Sequence, residues 1–299
     1  MSTATGAIGV PVRRATRRRL PADVTALARV EGRRLLLHPI FLAGLLLSVA
    51  VVLAASTASD GFSPTSLLSG FALFPLAAAT MVVANLGALR SRRDGTDELY
   101  ASLPSPRASR AAGQLLALAW TLPVSVGLIA VVYLAYGAHD GVPINYLGVR
   151  QTPAFVQLVQ GPLVVIALGA VGVLLGRITA SPIVVPVLVI VSVVVIIPLG
   201  SWVEGSWLQW LAPLATDAVT QPGAWVPCRA GQPMPVSDRD SGCALILRHD
   251  RAGMAWHVSY LVALTLLAGA ASLVRGRRRP ALLVALIPVL AVASALAAG

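Results

Sequence analysis

Few side chains in this chain could do chemistry, and their types restrict what that chemistry is. In 299 residues there are two cysteines, Cys228 and Cys243, four histidines and twelve acidic residues. Every one of the 23 basic residues is arginine. The lack of lysine removes Walker-A phosphate binding, kinase-type ATP binding and Schiff-base catalysis, so any ATP must be handled by another polypeptide. Neither a His-Glu-x-x-His zinc motif nor a Gly-x-Ser-Gly nucleophile motif occurs. We therefore read the chain as no enzyme and expect neither cofactor nor metal. His139-Asp140 and His249-Asp250 read as solvated pairs, and His257 as an interfacial residue at the mouth of a span. Cys228 and Cys243 read as a disulfide if they face an oxidising compartment. The alternative, a zinc site with His249, lacks a ligand.

The elements that must position these residues are apolar. The chain is 57% hydrophobic and 12% charged, with a mean hydropathy of +0.80, against roughly 25% charged residues in soluble domains. A bilayer core needs about 20 apolar residues in a helix. Seven stretches read as spans: 39–55, 65–89, 113–137, 153–176, 182–200, 256–274 and 280–298. Eighteen arginines fall in the segments assigned inside and five in those assigned outside, which makes the N-terminus cytoplasmic. The net charge of +11 is then mostly topology, and nucleic acid is not expected as a partner. Arg33-Arg34-Leu35-Leu36-Leu37 also resembles a twin-arginine signal, but cleavage after it would invert the arginine-rich loop at 90–110.

All twelve acidic residues lie outside these spans. Ion-coupled carriers and intramembrane aspartyl proteases keep carboxylates at membrane depth, and no such residue is found. Gly172 and Gly176 form a Gly-x-x-x-Gly pair suited to close helix packing, within the chain or between subunits. The loop at 201–255 is the one long external connection and carries both cysteines and several tryptophans.

Two further stretches are neither span nor tail. Residues 20–37 place Leu20, Val24, Leu27 and Ala28 on one side, with Pro21 and Asp23 at a helix start, which predicts a basic amphipathic helix lying on the inner leaflet. A merely solvated arm is the plainer alternative. Residues 1–19 read as a disordered basic tail. Between the second and third spans, Thr96 can cap a short helix with Asp97 and Glu98 in its first turn and Leu99 and Leu103 at i and i+4, ended by Pro104. An ordinary connector is the plainer reading there.

This last stretch, Arg92-Arg93-Asp94-Gly95-Thr96-Asp97-Glu98-Leu99-Tyr100-Ala101-Ser102-Leu103-Pro104, resembles the type-2 ATP-binding-cassette (ABC) export permeases, whose corresponding loop reads Arg-x-x-Gly-Thr-x-Glu-Leu-x-x-x-Leu-Pro. The resemblance implies an all-α polytopic membrane protein with six core transmembrane helices (38–279), an amphipathic connecting helix at 20–37 and a short cytoplasmic coupling helix. It also implies a dimer of permease subunits, homo- or heteromeric, driven by a separate ABC ATPase subunit that contacts Thr96, Asp97, Glu98, Leu99, Tyr100 and Leu103. The segment 280–299 departs from that plan as a seventh span. The expected function is outward movement of a lipid-like or amphiphilic substrate among membrane lipids, in a bacterial plasma membrane. A polytopic scaffold or assembly factor is the alternative.

Overall fold

The computed structural model describes residues 20–57, 71–95, 107–137, 142–143, 150–151, 155–179, 181–191, 219–221, 225–227, 243–245, 248–249 and 251–273. Among these the chain is predominantly helical. The helices are α1 (Leu20–Leu36), α2 (Pro39–Thr57), α3 (Phe74–Arg93), α4 (Arg107–Ala117), α5 (Thr121–Gly137), α6 (Phe155–Ile178), α7 (Val184–Val191) and α8 (Arg251–Leu273). Short 3-10 turns at Phe71–Leu73 and Leu118–Trp120 lead into α3 and join α4 to α5.

Among the described residues three helical stretches are long and apolar enough to cross a bilayer: Ala108–Leu134, Phe155–Ile178 and Met254–Leu273. A fourth is gained if Val24–Leu36 and Pro39–Ala54, bent by 57°, count as one span. The chain is thus a membrane protein by length and apolarity, and of the seven expected spans those at 113–137, 153–176 and 256–274 coincide with these helices. In α3 only Phe74–Arg90 is apolar, and that is short. The helix begins behind a 3-10 turn, with Pro75 in its first turn, where a missing N–H costs nothing. Residues 280–298 lie outside the described set.

The all-α expectation matches the helical body, and among the described residues three short two-stranded antiparallel ribbons occur outside the helices. They pair β1 (Val142–Pro143) with β2 (Arg150–Gln151), β3 (Val219–Gln221) with β6 (Arg248–His249), and β4 (Trp225–Pro227) with β5 (Cys243–Leu245). Strands this short carry no apolar periodicity, so hydropathy does not show them.

The core is built around α6, of whose apolar window 67% is buried, against 33% for each of the other two spans. It packs on α3 on one side and α8 on the other. Small residues make this possible. A Cβ on Gly172 would strike the Met81 carbonyl, and one on Gly176 would lie 2.8 Å from both Ala88 Cβ and Asn85 O. Backbone therefore meets side-chain-free backbone along the α3–α6 seam, the usual device where lipid supplies no hydrophobic drive for association. Gly44 does the same between α2 and α3, at Pro75 and Ala79.

Several buried hydroxyls find backbone partners. Ser48 Oγ on α2 accepts from the Leu76 N–H (3.1 Å), an amide that the first turn of α3 leaves without a helical partner. The Thr80, Thr265 and Ser272 hydroxyls each donate to the carbonyl four residues back.

Candidate functional site

The junction of α1 with α2 is a sharp turn that the sequence marks by residue type, His38-Pro39. Pro39 cannot donate a backbone hydrogen bond, so α1 closes instead through Leu37 N–H to Arg33 O (3.0 Å) and His38 N–H to Leu35 O (3.2 Å). His38 then starts α2: its Nδ1 accepts from the Ile40 N–H at 3.2 Å, the position of an N-cap ahead of Pro39. Accepting at Nδ1 requires the neutral ring with its proton on Nε2. Burial, and secondarily the Arg90 guanidinium, push the His38 pKa below its ordinary value.

The face of α1 carrying Ala28, Gly32 and Leu35 is buried, while Arg29, Val30, Arg33 and Leu37 are exposed. The buried face meets α4. A Cβ on Gly113 would come 2.8 Å from Leu27 Cδ2, and one on Gly32 would enter the Trp120 ring. The small residues on this face of α1 are taken up by α4 and the turn after it. A helical wheel shows that a face is apolar and says nothing of whether lipid or protein covers it.

Next to the bend, α1, α3 and α4 enclose a cavity of about 230 Å³. Its polar lining is Glu31, Arg34, His38, Arg90, Asp94 and Gln114. Glu31 Oε1 receives Arg34 Nη1 at 3.2 Å and lies 3.6 Å from Arg90 Nη1, so one carboxylate joins α1 to the end of α3. The Glu31 side chain is 17% exposed, against 56% for Arg34 and 40% for Arg90, which makes it the shielded member. Gln114 on α4 donates from Nε2 to Gly87 O on α3 at 3.1 Å. Just beyond, Asp94 N–H bonds Arg90 O (2.9 Å) and Gly95 takes a φ of 64°, the left-handed geometry that ends helices.

A second polar group lies elsewhere. Gln157 and Gln160, on one face of α6, and His257 on α8 are fully buried. The His257 ring centroid is 5.9 Å from that of Tyr260. His257, expected at the mouth of a span, is fully buried in the helical body. Asn85 on α3 donates from Nδ2 to Gly172 O at 3.5 Å, and its Oδ1 has no hydrogen-bond partner among the described residues. Among the described residues no three of His, Cys, Asp and Glu converge.

Of the residues singled out from sequence, Gly172 and Gly176 sit in the α3–α6 seam. Thr96, Asp97, Glu98, Leu99, Tyr100 and Leu103 lie outside the described residues, and so does Cys228. Cys243 is on β5, its Cα paired with that of Pro227, the residue before Cys228. Sequence reasoning missed Glu31, Arg34, His38, Arg90 and Gln114 as a group. The available signals were Glu31 set between Arg29 and Arg33-Arg34 on α1, a histidine at the proline turn and an amide among the small residues of α4. Comparison with protein-family models, curated proteins and solved structures gives no match for this chain.

Proposed function

We propose that this chain is the membrane-spanning permease subunit of an ATP-driven exporter of the type-2 ABC kind. In this reading it pairs with a second permease subunit, works in a bacterial plasma membrane with its N-terminus cytoplasmic, and moves a lipid-like or amphiphilic substrate outward. ATP is hydrolysed by a separate subunit that contacts the segment from Thr96 to Leu103. Cys228 and Cys243 form an external disulfide. Residues 280–299 add a further span.

The observation that carries the reading is the Glu31 bridge. Gly95 ends α3 just ahead of Thr96, and Arg90, on the last turns of α3, is held to α1 through Glu31. A force applied at Thr96–Leu103 reaches the end of α3, then α1, and through the bend at His38 the start of α2. Leu99, Tyr100 and Leu103 serve as the buried anchors of the ATPase contact, with Asp97 and Glu98 at its rim, because apolar anchors carry most affinity and rim charges chiefly steer approach. The test is co-purification of the ATPase with Leu99→Ala/Leu103→Ala against wild type. Loss of the ATPase with the membrane part still folded is expected; retained binding and wild-type stimulated ATP hydrolysis would return the chain to the scaffold reading.

A further inference from the structure

The cavity between α1, α3 and α4 has a charge pattern that a single helix-to-helix ion pair does not need. Its lining carries two guanidiniums, Arg34 and Arg90, and two carboxylates, Glu31 and Asp94, so the formal charges cancel. Both arginine contacts end on the same Glu31 oxygen, leaving Oε2 without a hydrogen bond among the described residues. The two guanidiniums place one nitrogen each on that oxygen, although each has five N–H donors. The neutral His38 ring adds an Nε2 donor at the same wall, since its Nδ1 is occupied by Ile40.

Its depth is set by the helices that form it. Arg90 closes the apolar run of α3, which places the cavity where hydrocarbon-facing sequence gives way to charge. Leu37 and Ile40, either side of His38, and Leu42 in the first turns of α2 are exposed apolar residues beside it. The floor is apolar, with Leu35, Leu118 and Val173. A lone anion would meet two carboxylates here and a lone cation two guanidiniums. A ligand carrying both signs, with apolar chains leaving along α2, satisfies the whole lining.

We propose that this cavity binds a phosphoethanolamine group, its phosphate on Arg34 and Arg90 and its ammonium on Glu31 and Asp94, as the headgroup of a membrane lipid. An ammonium with three N–H donors can pair with both carboxylates, which a choline headgroup cannot do and a glycerol headgroup does without charge. The site needs only that the chain is embedded in a bilayer, so it stands or falls separately from the exporter reading.

The experiment is native mass spectrometry of the full chain in detergent with equimolar dioleoyl phosphatidylethanolamine, phosphatidylcholine and phosphatidylglycerol. Wild type is expected to retain the ethanolamine lipid about tenfold over the glycerol lipid, the ratio of one charge-assisted hydrogen bond. Glu31→Gln, which keeps shape and lies at a partly open wall, is expected to level that ratio, and Arg90→Gln to lower retention of both. Competition by water-soluble glycerophosphoethanolamine would show that the headgroup alone is recognised, and its failure that the chains are required. Equal or preferred binding of the glycerol lipid by wild type, or an unchanged ratio in Glu31→Gln, would overturn the proposal.

Discussion

Two polar regions of this protein differ in the kind of polarity they hold. At the arginine-bearing end, Glu31, Arg34, Arg90 and Asp94 gather around a cavity and all keep some exposure. Gln157, Gln160 and His257 are fully buried. The two regions are far apart along the helices: a Cβ on Gly269 of α8 would lie 3.7 Å from Leu115, next to cavity-lining Gln114, and His257 is twelve residues earlier on the same helix, or about 18 Å along its axis. Ions are kept where water can still reach them, since a bare charge in hydrocarbon is costly. Uncharged amides are admitted deeper because their desolvation is smaller and one hydrogen bond offsets much of it.

That contrast can be broken most severely through the seam both regions depend on. Gly172→Leu drives a side chain into the Met81 carbonyl and should cost at least about 3 kcal/mol, read as loss of folded protein in detergent. Gly87→Ala on α3, where a Cβ meets nothing within 4 Å, should be neutral or stabilise by up to about 1 kcal/mol through helix propensity. If both variants behave alike, close approach at Gly172 does not hold α3 to α6.

The next effect separates the regions by kind. His257→Leu should destabilise by about 1–2 kcal/mol, with a thermal shift that salt changes little, since the side chain is fully buried and out of reach of screening ions. Glu31→Gln should cost less, about 0.5–1 kcal/mol, and that cost should shrink with added salt because both of its arginines are substantially exposed. Equal salt dependence in the two variants would erase the distinction.

The smallest effect is a pH dependence at the bend. The folded protein holds His38 below its ordinary value of 6.5, so it binds fewer protons there than the unfolded chain. The stability from neutral His38 is complete above pH 6.5 and is lost as the pH falls from there toward the folded value. His38→Asn keeps a capping side chain without a titrating ring. Wild type should therefore lose melting temperature between pH 7 and pH 5 relative to His38→Asn, and parallel curves would remove His38 from the account.

How much of this was legible in the sequence depends on the range of the forces involved. Hydropathy is a property of neighbouring residues, so the apolar helices over 155–178 and 254–273 and the turn at His38-Pro39 are visible in the chain itself. So is the absence of acids from the apolar segments. The sequence by itself settled that this is a membrane protein with strongly unequal charge between its connecting segments. What covers each helix face was left to tertiary structure: α4 rather than lipid on the small residues of α1, α3 on Gly172 and Gly176, and protein around His257. The meeting of Glu31 with Arg90 was decided there too. Each of these joins residues far apart in the chain through backbone approach or one ion pair, and no local period or propensity records which distant helix will arrive.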